Sequence, residues 1–134
     1  MKKGELKIQV DPRGDQSAHV TLEGSVDGHT FDKLRKAMDE IVQAGLLWLV
    51  IDLQKMDYIA SVGLNLLVNA RVSRRNVQGD LLLVRPQPQI MKILKMLGLN
   101  EILLISSTPE EAWSSIRARR GTLPGSTDGP PLIE

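Results

Sequence analysis

Residues Leu46 to Leu53 read LLWLVIDL, an apolar run broken only by Asp52. Eight residues is strand length, and continuous hydrophobicity leaves neither side of the strand suited to water. Such a strand belongs in the middle of a sheet covered on both faces. That requirement limits the chain to architectures in which helices flank a central sheet.

The rest of the sequence supplies the helices and the other strands. ELKIQV and SAHVTLEGSV are strand-like, and the intervening DPRGDQ, with its Pro and Gly, reads as the turn of a hairpin or of neighbouring strands. Phe31, Leu34, Met38, Ile41 and Val42 recur at helical spacing, with Thr30 as the cap and Gly45 at the end. Leu64, Leu67, Val68, Arg71, Val72 and Arg75 mark a second helix, and LLLV (Leu81 to Val84) a second buried strand. Pro88 opens a third helix, with Ile90, Ile93, Leu94 and Leu97 on one stripe and Gly98 after them. EILLIS is a last strand. TPEEAWSSIRARR is a last helix, begun by a Thr108–Glu111 capping box with Pro109 at its first position. The expected fold is α/β, a mixed but mostly parallel sheet of about five strands with about four helices, in the order β-β-α-β-α-β-α-β-α. Residues 1–117 form one domain in this reading. Residues 118–134, rich in Gly, Pro, Ser and Thr, read as a flexible C-terminal tail.

The same inventory argues against several kinds of chemistry. There is no cysteine, hence no disulfide, thiol nucleophile or thiolate metal site. Neither G-x-G-x-x-G nor G-x-x-x-x-G-K-[ST] occurs, and no cofactor is expected. His19 and His29 lack metal-ligand spacing; His19 reads as a half-exposed strand residue. ASVGL does not match the G-x-S-x-G of a hydrolase, and no spacing supports an Asp52–His29–Ser61 triad. A small nucleotide-binding or hydrolytic enzyme would need such features, so the chain is not read as an enzyme. Net charge is +1 and aromatics are 3%, which gives no push towards DNA binding. The arginines at 71, 74 and 75 read as the outer side of a helix whose C-terminal dipole favours cations. No run approaches the length of a membrane span and MKKGELKIQV lacks a signal-peptide core, so a cytoplasmic domain is expected.

One stretch resists a purely structural account. In DYIASVGLNLL the small residues Ala60, Ser61, Val62 and Gly63 interrupt large apolar ones. Ser61 stands where a loop passes into a helix and reads as an N-cap, a role worth about 1 kcal/mol. A phosphate on Ser61 would also suit the place, because a helix N-terminus favours an anion there. It would add about two negative charges to a small, neutral surface and so penalise a partner docked on it.

The sequence resembles the STAS-domain family, and most closely its single-domain bacterial anti-sigma-factor antagonists. LEGSVDGHT is similar to the family's G-x-[LV]-D-x-x-T segment, LVIDLQKMDYI to its central strand, ASVGLNLL to its D-S-S-G-L-x-x-L switch segment, and PQPQIMKILKMLGLNEIL to the helix and strand after V-x-P-x-P. The resemblance implies partner switching. An anti-sigma factor with serine-kinase activity would bind the unphosphorylated chain and release it once Ser61 is phosphorylated, and a serine phosphatase would reset it. ATP would belong to the kinase. Asp27, His29, Thr30, Ala60, Ser61, Val62, Gly63 and Asn65 are the partner-binding residues so implied. Ala60 and Val62 depart from the family's pattern, which has an aspartate and a second small hydroxyl residue there. They lend weight to the alternative of an unphosphorylated STAS scaffold, a subunit of a sensory or lipid-transport complex.

Overall fold

A computed structural model describes residues 4–121. Its elements are β1 (Leu6–Gly14), β2 (Ser17–Val26), α1 (Phe31–Gln43), β3 (Trp48–Asp52), β4 (Met56–Ile59), α2 (Ser61–Asn76), β5 (Asp80–Val84), α3 (Pro88–Met96), β6 (Leu104–Ser106) and α4 (Pro109–Gly121), with a 3-10 turn at Leu99–Glu101. The sheet runs β1-β2-β3-β5-β6, and β4 adds to β2. β1 pairs antiparallel with β2, and every other pairing is parallel.

The Leu46–Leu53 run behaves as its composition requires. All of β3 is buried, Leu49 and Ile51 in one apolar cluster and Trp48 and Val50 in another. The larger cluster takes in Leu34, Met38 and Ile41 of α1, Leu64 and Leu67 of α2, and Ile90 and Leu94 of α3. The smaller includes Ala112 and Ile116 of α4. The sheet therefore carries three helices on one face and one on the other. On that second face α4 reaches towards β1 and β2, with Arg13 over the Trp113 ring (5.9 Å to its centroid).

The structure corrects several expectations. The sheet has six strands, because β4 pairs with β2. Only Met56 and Ile59 of β4 are buried, so four residues offered no legible alternation. The hairpin turn is confined to Asp15 and Gln16, both at positive φ, while Pro12 stays within edge strand β1. The last strand begins at Leu104, after the 3-10 turn, and Val42 is exposed. His19 is buried, not half-exposed. Arg74 is also buried, and the burial pushes its pKa down to about 10. α4 begins with Thr108 Oγ1 accepting the Glu111 N–H (3.1 Å), while Glu111 reaches the Ser107 N–H (3.2 Å). It continues through Gly121, past the boundary drawn at 117; residues 122–134 of the expected tail lie outside the described residues.

Candidate functional site

The pairing of β4 with β2 builds the site. The two strands are parallel, with Val26 opposite Ile59, so the segments that follow them leave side by side. One is the turn Asp27–Thr30 into α1; the other is Ala60–Ser61 into α2. The Ala60 N–H donates to the Val26 carbonyl (2.8 Å) and ties them together. Gly63 makes the approach close, since a Cβ there would lie 2.6 Å from Val26 Cγ1 and 2.8 Å from Ile59 Cγ1.

The first segment is held by its own side chains. Asp27 Oδ1 accepts the N–H groups of His29 (2.8 Å) and Thr30 (3.2 Å). Thr30 Oγ1 accepts the Asp27 N–H (2.9 Å) and donates to the Ser25 carbonyl (2.8 Å). The His29 amide, with help from Thr30, holds the Asp27 carboxyl below its ordinary pKa. Asp27 and Thr30 thus shape the turn, while the His29 side chain is exposed.

The second segment differs from its expected form. Ala60, in extended conformation, is the N-cap of α2, and Ser61 is the first helical residue. No side chain caps this end and no acidic residue lies in the first turn. Ser61 Oγ forms no hydrogen bond with a described residue, so the fold makes no use of that hydroxyl. Ser61, Val62 and Asn65 are exposed, and Gly63 is buried against the sheet. Tyr58, on β4 just before this segment, is 42% exposed, and Val62 is 47% exposed. Sequence reasoning missed Tyr58 because it missed the strand that carries it.

Asp52 is engaged elsewhere. On the outer face of the sheet its carboxylate meets His19 Nε2 (3.1 Å), the Gln54 N–H (3.0 Å) and the Arg85 guanidinium. These groups line a cavity of about 540 Å³ together with Trp113. Burial works to raise the Asp52 pKa, but Arg85, the Gln54 amide and His19 together hold it below its ordinary value. The group stabilises the fold while ionised, and that contribution is lost as pH falls through the depressed native value. Comparing wild type with Asp52→Asn, the gap in melting temperature should be constant above about pH 5 and shrink below about pH 4. A gap independent of pH would assign the contribution to shape rather than charge. Among the described residues no cluster of His, Asp and Glu could hold a metal ion.

Comparison with known proteins agrees with this architecture. An anti-sigma-B factor antagonist of Listeria monocytogenes is 27% identical over 107 residues, 79% of this chain and 93% of its own. The crystal structure of an anti-sigma factor antagonist from Mycobacterium paratuberculosis superimposes with a TM-score of 0.72 at 22% identity, covering 87% of this chain and 97% of the other. The Bacillus cell fate determinant SpoIIAA in its phosphorylated form gives a TM-score of 0.64 at 21% identity, over 82% and 99%. The STAS domain family matches residues 9–112. That match spans most of the chain, and the chain belongs to the STAS domain family.

Proposed function

We propose that this chain is an anti-sigma-factor antagonist that acts by partner switching. Unphosphorylated, it binds an anti-sigma factor with serine-kinase activity through the surface formed by Asp27–Thr30, Tyr58 and the start of α2. The kinase transfers the γ-phosphoryl group of ATP to Ser61 Oγ, ADP leaves, and the complex separates. A serine phosphatase hydrolyses the phosphoserine and returns the chain to its binding form. The chain catalyses nothing and acts in the cytoplasm, where both enzymes meet it.

The observation that carries this reading is the unengaged, exposed Ser61 hydroxyl at an uncapped helix N-terminus. Ala60 sharpens it. An aspartate at that position would supply a capping oxygen and a negative charge beside Ser61. With alanine, the first-turn amides stay open to a phosphate without refolding of the loop. Val62 and Tyr58 give the unmodified surface an apolar character that a dianion would spoil.

The test is phosphosite mapping on protein recovered from its own cells under phosphatase inhibition, alongside capture of partners by wild type, Ser61→Ala and Ser61→Asp. Condition-dependent phosphate on Ser61 is expected. Wild type and Ser61→Ala should retain a serine kinase, and Ser61→Asp should bind it at least about tenfold more weakly, a loss of roughly 1.4 kcal/mol. An unmodified Ser61 in a stable assembly that Ser61→Asp also joins would replace the antagonist with a scaffold subunit.

A further inference from the structure

Among the described residues β1 is an open edge of the sheet, and its sequence is self-complementary. The Ser25 N–H donates to the Glu5 carbonyl (2.8 Å) in a ladder where Leu6 faces Gly24. Alternation of an antiparallel ladder then turns the backbone groups of Lys7, Gln9 and Asp11 inward to β2. Those of Leu6, Ile8, Val10 and Pro12 turn outward to the open edge. Two features agree. Pro12, which has no N–H, costs the β1–β2 ladder nothing in that orientation. The outward Leu6 carbonyl is taken by Lys33 Nζ, reaching over from α1.

We infer that β1 pairs antiparallel with β1 of a second copy, about a two-fold axis at Gln9, to give one continuous sheet. In this register Ile8 and Val10 of opposite copies exchange backbone hydrogen bonds. Lys7 stands across from Asp11 of the second copy at both symmetric positions, while Arg13, at the irregularity that ends the regular β1 ladder and over the Trp113 ring (5.9 Å to the centroid), is left out of the pairing. The charged residues occupy the non-hydrogen-bonded positions, where cross-strand side chains come closest. Leu6 faces Pro12 of the second copy. Its carbonyl finds no N–H there, and Lys33 already supplies the missing donor.

Neighbouring registers fail on charge. A shift of two residues one way sets Glu5 against Asp11, and the other way takes Lys7 away from Asp11. Pro12 and a lysine at the edge ordinarily discourage strand addition. Here they meet only in the register that the charges select, so they specify it instead of blocking it. On the inner face, half-buried Ile8 and Val10 and exposed Pro12 border a groove of about 530 Å³ against α1, apolar surface that a second copy would cover. The pairing edge lies on the side of β2 away from β4, although its Glu5–Lys7 end shares a pocket with His29 and Thr30 of the neighbouring turn. The inference stands apart from the function proposed above.

Sedimentation equilibrium of the full chain tests it, with charge reversals on the outer face of β1. Wild type should dimerise reversibly. Lys7→Asp alone and Asp11→Lys alone each place like charges in both cross-strand positions and should weaken the dimer at least about tenfold. Mixing the two variants restores opposite charges at both positions and should return a heterodimer of wild-type strength. Recovery on mixing could not come from repaired folding, since neither chain changes. A chain that stays monomeric at every concentration overturns the inference, as does a dimer indifferent to both reversals or a mixture that fails to recover.

Discussion

Asp80→Ala is expected to cost about 3–5 kcal/mol in urea unfolding, because it removes a buried carboxylate and leaves its largely buried partner Arg71 in place. Asp80 opens β5 with its side chain only 3% exposed. Arg71 Nε donates to its Oδ1 at 2.9 Å, and Arg75 and Arg119 stand 3.6 and 3.5 Å from Oδ2. Oδ1 also accepts the Leu81 N–H (2.7 Å). Arg71 is largely buried, and its other bond is to the Ile102 carbonyl (2.7 Å). Without Asp80 its charge would lose its carboxylate partner while still largely buried. A second variant separates the causes. Adding Arg71→Met to Asp80→Ala removes the stranded charge and should recover a good part of the loss. A cost under about 1 kcal/mol for Asp80→Ala would mean that these guanidinium groups reach water and that the cluster is an ordinary surface one.

Gly63→Ala should cost about 1–3 kcal/mol, with a functional effect beyond the loss of stability. Alanine normally favours a helix over glycine by up to about 1 kcal/mol, so the expected sign runs against propensity. Packing decides it. Carbon atoms rest about 3.5–4.0 Å apart, whereas the new methyl would meet Val26 at 2.6 Å and Ile59 at 2.8 Å. Both neighbours are β-branched, buried and stiff in their rotamers. Relief comes from backing the first turn of α2 away from β2 and β4, which displaces Ser61 relative to the Asp27 turn. Phosphorylation of Ser61 and partner capture should both fall at temperatures where the variant remains folded. If Gly63→Ala melts like wild type and binds like it, the close approach carries no function.

Much of the fold was legible because its central element is extreme. A strand as apolar as β3 can occupy few places, and the helical periods on either side leave little choice of layers. Helix ends were legible for the same local reason. Gly45 and Gly98 adopt positive φ where the helix terminus needs it, and Thr108 caps α4 with its hydroxyl. β4 was not legible. Its four residues have only two buried positions, and what makes it a strand is its pairing with the far end of β2, about thirty residues away in sequence.

The arginines at 71, 74 and 75 show the same division. Their place near a helix C-terminus accounts for the residue type but not for the side each one faces. Asp80, from the next strand, draws Arg71 inward, while Arg74 is buried and pairs with no carboxylate among the described residues. His19 and Asp52 likewise belong to different strands, brought together by the parallel register that sets Val50 beside His19.

By itself the sequence determined the α/β class, the covered central strand, most helix ends and the family, since each depends on residues close together along the chain. It also singled out Ser61. What that serine does in the fold was decided only by tertiary structure. β4 beside β2 brings the Ser61 and Asp27 segments together, Gly63 admits the contact, and Ala60 takes the cap, leaving the hydroxyl exposed. Capping depends on which residue first turns helical, and adjacency depends on strand pairing; both arise from contacts that form only when distant parts of the chain meet.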